Sequence, residues 1–248
     1  MISFLFSIFI KTNYGEINVH IEGKGKDTVV MIHGLFDSWH EYHRMIPFLK
    51  ENFVLVIPDL LGHGSSDNSI YGYSPMILAA SLIVWADNKR VKKLFLITPA
   101  NTVSFKLSFF NGIGYSYPVI CCISGCILPS IYKRGQKKNL YYNKDMYDEE
   151  HSEIMYEKHF SDFTKKMESV KITKQAINRY KFDPLILKSM GIPVFVIFTE
   201  KDRLINKDVV ADFEKVNIPY EIYEDSGHEL TLETPERLSN SIIDFFRR

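Results

Sequence analysis

FVLVIPDLLGHGSSD, residues 53–67, is the stretch that decides the fold. Five apolar residues in a row stop at Pro58-Asp59, and a glycine-rich turn follows. The run is too short for a buried helix and shows no polar alternation, so it predicts a parallel strand covered on both faces. Four more runs repeat the pattern. Residues 28–32 (TVVMI) end at His33-Gly34, 94–97 (LFLI) at Thr98-Pro99, 193–198 (PVFVIF) at 199–202 (TEKD), and 220–223 at 224–228 (EDSGH). In open parallel sheets ligands bind at such carboxyl ends. Helical patterns at 39–49, 76–85 and 235–246 lie between or after the runs. Thr234 and Pro235 predict an N-cap and first helical residue, and Glu236 suits the first turn of that helix.

Residues 101–186 break this rhythm. They contain no clear buried strand. An apolar stretch at 107–132 is followed by Lys133, Arg134, Lys137 and Lys138, then by Asp145, Asp148, Glu149 and Glu150. Amphipathic helical patterns run from 149 to 180. The expected architecture is therefore α/β: a mostly parallel sheet in a three-layer α/β/α sandwich, built from 1–100 and 187–248, with a helical cap or lid at 101–186 inserted between.

Composition limits the function classes. With 30 Lys plus Arg against 30 Asp plus Glu the formal net charge is zero, and no basic stripe with interleaved aromatics points to nucleic acid. The 46% hydrophobic content is that of a globular chain. Cys121, Cys122 and Cys126 share one apolar stretch without a histidine at zinc-ligand spacing, so they read as reduced, buried thiols of a cytoplasmic protein, and no metal or cofactor is expected. The apolar N-terminus MISFLFSIFI has ten residues, half of what a spanning helix needs at about 20, and reads as a first strand running into Lys11. The stretch 107–132 carries Asn111, two prolines and three glycines, so membrane contact is not expected there. Nothing in the sequence speaks to oligomeric state.

Four motifs now stand in order. MIHGLFDSW (31–39) is a strand ending in His-Gly. VIPDLLGHGSSD (56–67), IPVFVIFTEKDRLI (192–205) and EDSGHELTLETPERL (224–238) follow it. Together they resemble the α/β-hydrolase family, of the capped serine-hydrolase type, across most of the chain. The resemblance implies that Asp202 is the acid and His228 the base of a triad. A histidine base needs a fixed tautomer, so a carboxylate must accept its Nδ1–H, and both residues follow the carboxyl ends of predicted strands. Taken as ordinary surface residues, Asp202 is a turn aspartate and His228 a histidine after a glycine. The resemblance also assigns Gly34 and Leu35 to an oxyanion loop, with the Leu35 N–H aimed at the oxyanion and His33 holding the loop's shape.

The nucleophile is the weak point. The family carries G-x-S-x-G on a tight strand-to-helix turn, and this chain has no such pentapeptide. Gly72-Tyr73-Ser74-Pro75-Met76 is the nearest match. Counted from the following strand, Ser74 sits at the nucleophile's position. Counted from Asp67, only four residues intervene, where a parallel crossover needs about a dozen or more. The chain is about two dozen residues short there, given ordinary helix and strand lengths, and residues 69–73 are left to supply a short strand. Pro75 has no N–H to donate to an oxyanion, and Met76 replaces the second elbow glycine. Alternatively Ser74 is simply an N-cap and Pro75 the first residue of a helix. Ser65 and Ser66 are weaker nucleophile candidates on a turn loop.

Two functions follow. One is a hydrolase of a small, largely apolar ester or related carbonyl substrate, with Ser74, His228 and Asp202 as its triad and impaired activity. Phe105, Phe109, Phe110, Tyr115 and Tyr117 suggest the apolar pocket. The other is a non-catalytic binding protein of the same fold, or the truncated product of a gene that lost its nucleophile strand.

Overall fold

A computed structural model describes residues 4–73, 91–99, 129–177, 183–205 and 207–248. The strands are β1 (Phe4–Thr12), β2 (Gly15–Gly23), β3 (Asp27–Val30), β4 (Phe53–Pro58), β5 (Leu94–Ile97), β6 (Val194–Thr199) and β7 (Tyr220–Tyr223). All five apolar runs are strands. Pairings β3–β4, β5–β6 and β6–β7 are parallel, while β1–β2 and β2–β4 are antiparallel. The hairpin partner β2 was not anticipated. Its Glu16-Ile17-Asn18-Val19-His20-Ile21-Glu22 alternation is the period-two signal of a strand, not the continuous apolar run of a strand buried on both faces.

Helices cover both faces. Met45, Ile46 and Leu49, in and beside α1 (Ile46–Leu49), share one core with Leu238, Ile242 and Ile243 of α8 (Pro235–Arg247), Val29 of β3, Leu55 and Ile57 of β4, Ile197 of β6 and Tyr223 of β7. On the other face Val194, Val196 and Phe198 pack against Leu187 of α5 (Leu185–Ser189) and Val209 and Phe213 of α6 (Asp208–Lys215). Successive side chains of β6 thus enter opposite cores, which is why its sequence reads as an unbroken apolar run. Each such fully buried Val, Ile or Phe contributes about 1.5–3 kcal/mol of transfer free energy.

Several expectations need correction. The helix expected at 39–49 is broken into a 3-10 turn at Trp39–Tyr42 and the four-residue α1, because Pro47 fits only the first turn of a helix. Thr234 lies between α7 (Leu230–Glu233) and α8 but makes no capping bond to α8; its hydroxyl donates to the Leu230 carbonyl at 3.2 Å. Residues 69–73 form turns, not a short strand. Among the described residues the strands fall into two hydrogen-bonded groups, ordered β1-β2-β4-β3 and β5-β6-β7. β3 and β5 are therefore outer strands among the described residues, and Val30 is 42% and Ile32 52% exposed. A strand pattern that assumes cover on both faces holds for β4 and β6 but not for β3. The helix expected at 76–85 and the cysteines lie outside the described residues.

In the inserted region the described residues 129–177 hold α2 (Pro129–Asn139), a 3-10 turn at Lys144–Met146, α3 (Glu149–His159) and α4 (Phe163–Ile177). No helix among the described residues is long and apolar enough to cross a membrane.

The turn after β4 is fixed by Asp59. This fully buried carboxylate accepts the Trp39 N–H at 2.7 Å through Oδ1, and the Asn18 side-chain amide and Ser65 N–H, each at 2.9 Å, through Oδ2. Gly64 lies in the left-handed region at φ +48°, and a Cβ there would stand 2.2 Å from Asp59 Cγ. Ser66 is structural: its buried hydroxyl donates to the Asp59 carbonyl at 2.7 Å and accepts the Asn18 N–H at 2.8 Å. Substituting Gly64→Ala should displace the carboxylate and orphan buried donors, at a cost of about 2–4 kcal/mol in urea unfolding. An unchanged unfolding midpoint would show that Asp59 does not anchor the turn.

Candidate active site

β6 and β7 end side by side, and the loops that leave them carry Asp202 and His228. His228 Nδ1 stands 2.8 Å from Asp202 Oδ2. The other oxygen, Asp202 Oδ1, accepts the N–H groups of Leu204 at 2.7 Å and Ile205 at 2.9 Å. The carboxylate is thereby fixed, with 5% of its side chain exposed. Burial works to raise the Asp202 pKa, but the hydrogen bond and charge of His228 and the two backbone donors outweigh it and hold it below the usual carboxylate value. Burial likewise opposes an imidazolium at His228, and the bond and charge of Asp202 overcome it and raise the histidine above its ordinary value. Nδ1–H faces the carboxylate, and Nε2 makes no hydrogen bond among the described residues.

The histidine loop is held from the inserted region. The His228 N–H donates to the Leu140 carbonyl at 2.7 Å. The buried Glu233 carboxylate accepts the N–H groups of Gly227 at 2.7 Å, Tyr142 at 3.0 Å and Asn143 at 2.7 Å. Arg203, next to the acid, donates to the Lys138 carbonyl at 2.9 Å. The loops that carry Asp202 and His228 are thus tied to the last turn of α2 and the residues just after it. Sequence reasoning missed Glu233, for two of its three partners, Tyr142 and Asn143, are some 90 residues away and nothing local distinguishes it from a helix-start glutamate.

The loop after β3 has a fixed tautomer at its base. His33 Nε2 accepts the Leu60 N–H at 2.9 Å, so its proton is on Nδ1, 2.7 Å from the Gly34 carbonyl. Burial lowers the His33 pKa and keeps the ring neutral. Gly34 and Leu35 part company here. The Gly34 N–H donates to Glu41 Oε2 at 3.2 Å, whereas Leu35 N–H has no acceptor among the described residues. Phe36 holds a left-handed φ of 66°, and so does Thr98 at the end of β5, with φ 40°. A β-branched residue in that region is strained, and such strain gathers where a site over-determines the backbone.

Ser74 lies outside the described residues, but the residue before it does not. Tyr73 is buried, its N–H donating to Gln175 Oε1 at 2.5 Å and its hydroxyl to Glu168 Oε1 at 2.5 Å. Both acceptors belong to α4. The chain therefore enters position 74 from contacts with a helix of the inserted region.

A second charged group borders the triad. Asp37 Oδ2 lies 3.3 Å from His151 Nε2 of α3. Burial opposes the His151 charge, but the charge and hydrogen bond of Asp37 lift its pKa to about 9, making an ion pair at neutral pH. Asp148 caps α3 by accepting the His151 N–H at 2.8 Å and pairs with Arg44 Nη2 at 2.8 Å.

With this geometry in view, the comparisons with known proteins are consistent. The family model described as the alpha/beta hydrolase fold matches residues 27–96. YugF of Bacillus subtilis (strain 168), an uncharacterised hydrolase, is 25% identical over 261 residues, covering 92% of this chain and 93% of that protein. That alignment is longer than the 248 residues of this chain, so the relative carries residues where this chain has none. Among solved structures, the carboxylesterase CesB of Bacillus subtilis superposes with a TM-score of 0.73 at 19% identity, over 99% of this chain and 92% of that one. The epoxide hydrolase CorEH gives 0.72 at 16%, over 98% and 99%. The chain has the α/β-hydrolase fold and resembles that family, and by that resemblance it is a hydrolase.

Beneath the oxyanion loop, burial, abetted by the charge of neighbouring histidines, holds His63 near 3 and His159 near 2. A histidine with a folded pKa below its unfolded value of about 6.5 contributes full stability above that value and loses it as pH falls toward the folded one. At pH 5 each should have lost about 2 kcal/mol. His159→Leu, which also removes an unbonded buried Nε2, should flatten the slope of stability against pH below 6.5 by about 1.4 kcal/mol per unit. Urea melts at pH 7, 6 and 5 read this directly, and parallel wild-type and variant slopes would contradict it.

Proposed function

We propose that this protein hydrolyses a small, largely apolar ester or related carbonyl substrate, slowly, through Ser74, His228 and Asp202. The observation that carries the reading is the 2.8 Å contact between His228 Nδ1 and a doubly anchored Asp202, with Nε2 left open. In this reading Ser74 Oγ attacks the carbonyl carbon as its proton passes to His228 Nε2. The tetrahedral intermediate collapses as His228 returns that proton to the leaving alkoxide. Water then repeats the sequence on the acyl group and frees Ser74. Asp202 keeps the imidazole in the Nδ1–H tautomer and stabilises its charge. The oxyanion is served poorly: Pro75 has no N–H, the Gly34 N–H is engaged by Glu41, and Leu35 N–H is left to act alone. One missing donor typically costs about 2.7–4 kcal/mol.

The exposed outer strand β3 and the helix-anchored approach to Ser74 favour a second reading, a binding protein of this fold without turnover. A serine-reactive fluorophosphonate and a short-chain aryl ester separate the two. The first reading expects labelling at Ser74 and turnover at least about a hundredfold below an intact relative, abolished by Ser74→Ala and by His228→Ala. No labelling, or ester turnover indifferent to both substitutions, would overturn it in favour of the second.

A further inference from the structure

Asp37, His151 and Glu229 come from three separate segments: the loop after β3, the first turn of α3, and the residue following His228. Each offers one ligand atom, and these atoms all lie within 4.8 Å of one another. Tetrahedral zinc with N and O ligands at about 2.0–2.2 Å holds its donors about 3.5 Å apart. The His151 Nε2 to Asp37 Oδ2 separation is already 3.3 Å, so only Glu229 has to draw in, within the freedom of its side chain.

Three further facts suit a cation. The carboxylate of Glu229 has no hydrogen-bond donor among the described residues, although it sits beside a second carboxylate. Glu41, whose side chain accepts the Gly34 N–H at 3.2 Å, borders both Asp37 and Glu229, so a third carboxyl group lines the cluster. His151 is also braced as metal-bound histidines are: its Nδ1 lies 3.2 Å from His40 Nδ1, and a neutral His40 can accept that N–H and turn Nε2 toward Asp37.

We propose that Asp37, His151 and Glu229 form a binding site for a divalent transition-metal ion, Zn2+ fitting best, at the junction of the inserted helices with the two loops flanking the triad. One imidazole and two carboxylates, without a thiolate, select zinc or manganese over soft cuprous ions, and three protein ligands leave a coordination position open to water. The ion would take the place now held by the His151 Nε2 proton and tie α3 to both loops. The proposal stands apart from hydrolysis and needs nothing of Ser74.

The test uses the whole chain, stripped with a chelator, loaded with Zn2+ and desalted. Metal content is read by mass spectrometry and thermal stability alongside. Wild type is expected to retain one equivalent and to melt higher with it. Glu229→Gln and His151→Leu should each lower Zn2+ affinity at least about tenfold, while His228→Ala should retain the ion, separating this site from the triad. No retained zinc in wild type would overturn the proposal, as would unchanged binding in Glu229→Gln and His151→Leu. Should the variants not fold, the Co2+-loaded wild type decides. A strong visible absorption of four- or five-coordinate cobalt supports the site, and the weak spectrum of hydrated Co2+ refutes it.

Discussion

The buried carboxylate of Asp59 is the constraint on which the rest of the arrangement depends. It closes the turn after β4 through Ser65, reaches β2 through Asn18 and fixes the loop after β3 through Trp39. Beside it, the Leu60 N–H sets the tautomer of His33, whose Nδ1 in turn faces the Gly34 carbonyl. The shape of the candidate oxyanion loop is thus imposed by a neighbouring strand-end turn. A buried charge is tolerated only when donors surround it, and here the donors come from three different segments. Folding of those segments is thereby made mutually dependent.

A second carboxylate does the same at the other end of the site. Glu233 gathers three backbone N–H groups from the histidine loop and from residues 142 and 143. The inserted helices are joined to the core through such charged hubs: Glu233, the Asp148–Arg44 pair and the Asp37–His151 pair. Charge-assisted bonds are geometrically specific. They place His228 and Asp202 relative to α2 and α3 more exactingly than apolar packing alone would.

Much of this was legible in the sequence, and the reasons for the remainder are physical. β4 and β6 were legible because burial on both faces leaves a continuous apolar signature, and the ends of β6 and β7 located Asp202 and His228. β2 carried a different signature, alternation, because its second face buries polar side chains, Asn18 against the Asp59 carboxylate and His20 against the Trp39 ring. The hubs were not legible at all. Asp37, Glu233 and His151 each reach a partner about 90 residues or more away, and a loop aspartate or a helix histidine looks the same in sequence whether or not it has one. The break at Met45–Pro47 was visible in Pro47, but the apolar spacing on either side of it outweighed that signal.

The shortened link after Asp67 had a structural correlate that the sequence only hinted at. A parallel strand is stabilised by neighbours on both edges, and a nucleophile elbow takes its rigidity from the strand that precedes it. Here the residue before Ser74 is held by the Gln175 and Glu168 side chains of α4. Side-chain acceptors on a helix position a backbone less firmly than a ladder of strand bonds, since each has its own rotamer freedom. Asp202 and His228 face each other at 2.8 Å because their strands, β6 and β7, are paired. The last described residue before position 74 takes its contacts from α4. The backbone entering position 74 therefore depends on how firmly α4 sits on the core, while the charged contacts of α3 with Asp37 and Arg44 hold the neighbouring helix to the loop after β3.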